Sequence, residues 1–173
     1  MLTAFVTVLV VLAAFLLQSS VFPAITLLDI TPNVLLMVTV CFGFMRGKRF
    51  GMLLGFFCGL LIDAFFGPIL GFNAFVYMLI GYCNGYFYKV FFDEEIKVPM
   101  LLVAVSDLIY SILFYIAQFA IRMRFAFSEY LLRVILPECI YTVVLTLLLY
   151  RLLYRIDKLL YDNELEGQKS PWL

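Results

Sequence analysis

The chain has 173 residues and is 65% hydrophobic, and its mean hydropathy of +1.07 means more apolar surface than a soluble domain of this length can bury, so lipid has to solvate most of it. Twelve basic residues balance twelve acidic ones, which leaves no cationic footprint for nucleic acid. Histidine is absent, excluding His-dependent acid–base chemistry, His-containing triads and the commonest metal ligand.

Six apolar segments predict an all-α integral membrane protein, a six-transmembrane-helix bundle forming a single polytopic domain over residues 1–161. The first, Leu2–Leu17, has no positive n-region, and Gln18-Ser19-Ser20 leads straight into apolar Val21–Leu28, so it is expected as a retained helix. The second, Pro32–Met45, is short against the roughly 20 residues a crossing needs. Thr31 followed by Pro32 reads as an N-cap and first helical residue, although a start near Leu27, a shallow tilt or a re-entrant path also fits. Phe50–Phe66 follows, and then Ile69–Phe92, Pro99–Ile121 and Leu131–Tyr154, the last three long enough to cross. Residues 162–173 read as a frayed polar cytoplasmic tail.

Basic residues set the orientation. With the N-terminus inside, Arg46, Lys48, Arg49, Lys89, Lys97, Arg151, Arg155, Lys158 and Lys169 are cytoplasmic, against Arg122, Arg124 and Arg133 outside. An N-in, C-in topology is therefore expected. Cys41, Cys58, Cys83 and Cys139 lie far apart in apolar runs, which excludes a CxxC site and makes them small hydrophobes.

Polar residues inside the spans fall at helical spacing. Gly51, Gly55, Gly59, Asp63 and Gly67 recur every four residues and form one stripe, which serves either internal packing or a partner helix. Asp63 lies at the stripe's outer end. Asp107 shares a face with Tyr110, Ser111, Tyr115 and Gln118, and Glu138, just after Pro137, shares one with Tyr141, Thr142 and Thr146. The fourth segment supplies Asn73, Tyr77, Gly81, Asn84 and Tyr88. The basic residues in these spans, Lys89, Arg133 and Arg151, lie toward their ends, so hydroxyls and amides are the expected partners of the acids. The three acids suit structural glue, a ligand cavity lined by Asp63, Glu138 and Asn84, or a proton path. No nucleophile has a visible base, so the protein is expected not to be an enzyme and to need no cofactor or metal.

The stretches "LQSSVFP", "TPNVLL" (with Pro32 and Asn33), "FGFMRGKRFGMLLGFFCGLLIDAFFG", "GFNAFVYMLIGYCNGYFYK", "VSDLIY" and "LPECIYTVVLT" occur in this order along nearly the whole chain. In these the chain resembles the rod shape-determining MreD family of Gram-positive bacteria. The resemblance implies a multi-pass protein of the bacterial plasma membrane, a non-enzymatic scaffold of the elongation machinery (the elongasome). As such it would bind MreC directly and work with RodA, a class B transpeptidase and MreB, supporting peptidoglycan synthesis and rod shape. It also implies a fold similar to the S-components of energy-coupling-factor transporters, hence an alternative function: binding a small vitamin-like ligand for uptake. S-components dock through an Ala-xxx-Ala pattern in the first helix. Here Ala4 is followed by Val8, Ala13 by Leu17 and Ala14 by Gln18, so that pattern is missing.

Overall fold

The computed structural model describes residues 2–22, 31–67, 70–89, 97–122 and 131–169. Among these, six α-helices follow one another: α1 Leu2–Leu16, α2 Val34–Arg46, α3 Lys48–Phe65, α4 Phe72–Asn84, α5 Lys97–Arg122 and α6 Leu136–Lys169. A π-turn at Leu17–Val21 prolongs α1, a 3-10 turn at Gly85–Lys89 prolongs α4, and a π-turn at Leu131–Ile135 leads into α6.

Three stretches are long and apolar enough to cross a membrane: Thr3–Val21, Lys97–Ala117 and Leu136–Leu160. The others are shorter, with 13 residues in α2, 18 in α3 and 13 in α4. The fourth expected segment is thus not one continuous helix. Its α-helical part ends at Asn84, because the chain at Gly85 runs hard against the start of α3; a Cβ there would sit 2.3 Å from the Lys48 Cα. At the other end, α6 stays helical to Lys169, so residues 162–169 are not frayed. Residues 170–173 and the basic stretch 123–130 lie outside the described residues.

The sequence of α2, VLLMVTVCFGFMR, is apolar on every side, and a helix of that kind belongs in the middle of a bundle. That is its place: Leu35, Leu36, Met37, Val40, Cys41 and Phe42 are all 0% exposed. Every other helix packs against it. At about 20 Å by the helical rise, α2 is shorter than the hydrocarbon layer. Its ends are set by Asn33, whose side chain accepts from the Leu36 N–H, and by Gly47, whose φ of 90° suits glycine and ends the helix in a single residue. The N-cap is therefore Asn33 and not Thr31.

Gly43, Gly51, Gly55, Gly59 and Gly81 bring α2, α3 and α4 into backbone contact. A Cβ at Gly51 would lie 2.4 Å from the Gly81 carbonyl oxygen, one at Gly55 2.3 Å from that of Tyr77, and one at Gly59 2.4 Å from that of Asn73. Each four-residue step along α3 meets a four-residue step back along α4, so the two run antiparallel in fixed register. The α3 stripe is filled from within the chain.

The remaining contacts fix the direction of each helix. Gln18, just past α1, accepts from the Leu35 N–H at the start of α2. Ser106 meets Asn84 and Tyr110 meets Asn73, which sets α5 antiparallel to α4. Thr142 meets Asn33 and Asp157 pairs with Arg46, which sets α6 parallel to α2. Consecutive helices alternate in direction. Arg46, Lys48, Tyr86 and Asp157 gather at one end of the bundle, where the Lys48 ammonium lies 5.0 Å over the Tyr86 ring.

Candidate functional site: a polar seam through the bundle

The end of α3 carries Asp63, 3% exposed, with no cation against it among the described residues. Its carboxylate is met by four N–H groups from the start of α4. Gly71 N–H and Ala74 N–H donate to Oδ2 at 3.0 and 2.9 Å, and Asn73 donates to Oδ1 through its backbone N–H at 3.2 Å and its Nδ2 at 2.9 Å. A helix N-terminus has unpaired N–H groups and a partial positive charge. The usual remedy is a cap side chain on the N-cap residue, but Gly71 has none and sits at φ 96°. Asp63 supplies it from the preceding helix. Gly67 lets the chain fold over it, since a Cβ there would be 2.8 Å from Asp63 Oδ1. The acid is a helix cap.

From Asp63 the seam runs inward. Tyr110 donates to Asn73 Oδ1 at 3.0 Å, and the Tyr110 ring stands edge-on to Tyr77, with centroids 5.3 Å apart. Tyr77, 0% exposed, donates to Asn33 Oδ1 at 2.6 Å. The Asn33 backbone N–H donates to the Thr142 hydroxyl at 3.1 Å, and that hydroxyl donates to the Glu138 carbonyl at 2.9 Å. Five helices are joined in this way. Tyr77→Phe removes a single donor and leaves the Asn33 oxygen its contact with Leu36, so it is expected to lower stability by about 1 kcal/mol. Thermal unfolding in detergent checks this, and a loss of several kcal/mol would mean the seam acts cooperatively.

Asn84, 5% exposed, donates to Ser106 Oγ at 2.8 Å and to the Ile80 carbonyl at 2.9 Å, forming a separate α4–α5 tie. It floors a cleft whose walls, among them Val76, Leu79, Ile109 and Leu113, are apolar. Asn84 therefore stands apart from the seam that runs from Asp63 to the Glu138 carbonyl. Tyr141 packs edge-on against Phe22, with centroids 5.9 Å apart, while its neighbour Thr142 carries the seam. Pro32 is buried, and its carbonyl accepts from the Val34 N–H at 3.0 Å. Asp107 is 0% exposed and lies beside Thr142 and Asn33.

Two features escape the sequence reading. Gln18 is a polar residue between apolar runs, and its interruption of the hydropathy is the one available signal. The Arg46–Asp157 pair joins residues 111 positions apart and leaves no local trace.

Nothing in the seam is arranged as nucleophile and base; it joins helices. Neither a curated protein nor a solved structure matches the chain. The family model described as rod shape-determining protein MreD matches residues 1–159. Its span takes in all of α1 to α5, the seam, and α6 as far as Leu159. The chain belongs to the MreD family of rod shape-determining proteins.

Proposed function

We propose that the protein is a non-enzymatic membrane scaffold of the bacterial elongation machinery. In this reading it crosses the plasma membrane six times with both termini cytoplasmic, binds MreC, and supports peptidoglycan synthesis with RodA, a class B transpeptidase and MreB. The family match carries the reading. The chemistry of the interior supports it: buried amides and hydroxyls satisfy one another across helices, as in a rigid platform. The alternation of the six helices, with Arg46, Lys48 and Asp157 at one end, supports the topology. Because α4 fills the glycine stripe of α3, the partner's helix docks on the surface of large side chains that faces lipid.

Affinity purification of the tagged chain from its host in mild detergent, with mass spectrometry, tests the reading. Recovery of MreC and wall-synthesis enzymes is expected. An ATPase module or a bound vitamin recovered in their place would favour a transporter component and overturn it.

A further inference from the structure

We propose that the cleft between α4 and α5, together with the Lys48, Tyr82 and Tyr86 group beyond its end, binds one anionic glycerophospholipid. The phosphate meets that group, and the upper part of an acyl chain lies in the cleft.

Leu79 and Cys83 of α4 face Ile109 and Leu113 of α5 across the cleft, and Asn84, bonded to Ser106, floors it. The first four are exposed, so the cleft opens on the side that faces lipid. Its volume of about 180 Å³ falls below the roughly 300–1,000 Å³ of sites that enclose a whole small molecule. Along α4 it runs from Cys83 back to Val76, about 10 Å by the helical rise. A narrow apolar part of a larger occupant fits such a space, and an acyl chain is that kind of part.

The end of α4 supplies the other half. The stripe of Val76, Leu79 and Cys83 continues to Tyr86, three residues on and about 6 Å away by the rise of the 3-10 turn. The Tyr86 hydroxyl lies 3.0 Å from the Tyr82 hydroxyl, and the Lys48 ammonium stands 5.0 Å over the Tyr86 ring. Two hydroxyls that share one hydrogen bond keep one proton to donate elsewhere, and an ammonium is a donor only. Lys48 and Arg49 are both exposed, and Asp157 at the same end is held by Arg46. Donors and positive charge beside an apolar cleft are complementary to a phosphate carried on an acyl chain. A partner's transmembrane helix would bring apolar side chains to the cleft but no anion to Lys48. In the topology proposed above this end is cytoplasmic, where the membrane surface is negative. Asp93, Glu94 and Glu95 of the connection to α5 lie outside the described residues, so the choice of headgroup is the decisive readout.

The test uses the full chain in detergent with two probes, phosphatidylglycerol and phosphatidylcholine carrying the same acyl chains. Native mass spectrometry follows each titration, and the outcome does not depend on the topology. The wild type is expected to hold one phosphatidylglycerol per chain and to bind it about fivefold or more tightly than phosphatidylcholine, the equivalent of roughly 1 kcal/mol for one lysine. Lys48→Gln is expected to bring the two lipids to within about twofold of each other. Leu79→Trp, which fills the cleft, should weaken both about tenfold; should it fail to fold, Ile109→Trp takes its place. Cys83 is exposed while the other three cysteines are buried, so a photoreactive label on it reports on the cleft in native membranes, where it should capture anionic phospholipid in excess of its share. Equal binding of both lipids by the wild type overturns the proposal, as does an unchanged preference in Lys48→Gln or unchanged affinity once the cleft is filled. A protein captured from Cys83 in place of lipid assigns the cleft to a partner and overturns it too.

Discussion

Gly81→Ala is expected to separate α3 from α4 and to leave little folded protein. The added Cβ would sit 2.1 Å from the Gly51 carbonyl oxygen and 2.6 Å from its carbon. Those are backbone atoms of a packed helix, so no side chain can rotate out of the way, and the helices have to move apart. Moving apart also opens the contacts at Gly55 and Gly59, which lie along the same line. Alanine gains about 1 kcal/mol over glycine in helix propensity, whereas overpacking costs about 1–3 kcal/mol and more where backbone meets backbone. The steric term wins, and a net loss of about 3 kcal/mol or more is expected. Gly43→Ala is the internal control. Its Cβ would come no closer than 3.0 Å to its nearest neighbour, the Gly81 carbonyl oxygen, so the same propensity gain meets a far smaller clash. Thermal unfolding in detergent should rank Gly81→Ala well below Gly43→Ala, and equal midpoints would refute the close backbone approach.

The helices were legible in the sequence because apolar runs and polar stripes both repeat at the helical period. The partners were less so. A four-residue repeat of glycine identifies a face but not what occupies it; that needs the matching repeat of Asn73, Tyr77 and Gly81, whose register depends on the turn between the helices. Tyr141 and Thr142 are adjacent, about 100° apart on a helix, and spacing alone cannot say which turns inward. The choice is made by the Asn33 N–H, which arrives from 109 residues away. The length of α6 was hard to read for a different reason: the charges after Leu160 resemble a solvated tail, yet the helix continues to Lys169. Asp63 stands out in the sequence as an acid in an apolar run. The turn that wraps the start of α4 around it was not visible in the residue pattern.

Asp63→Ala is expected to unravel the first turn of α4. The substitution leaves the Gly71, Asn73 and Ala74 N–H groups and the Asn73 amide without their acceptor, in a place that Asp63 itself shares at 3% exposure. Each buried donor left unsatisfied costs about 1–3 kcal/mol, and allowing for relaxation the total is about 3–5 kcal/mol. Loss of the negative charge at the helix N-terminus acts in the same direction. Hydrogen exchange locates the effect. The Asn73 and Ala74 amides should exchange at least about 100-fold faster, the equivalent of roughly 2.7 kcal/mol of lost protection. Amides near Tyr77 should follow, because Asn73 also holds Tyr110, and Tyr110 packs on Tyr77. Asp63→Asn separates charge from shape: it keeps one acceptor oxygen but turns an NH2 toward an N–H, so it should fall between wild type and alanine. Unchanged protection of Asn73 and Ala74 in Asp63→Ala would mean that water or the backbone replaces the cap without loss. With Gly71 offering no side chain at the N-cap position and four donors converging on one carboxylate, the geometry points the other way.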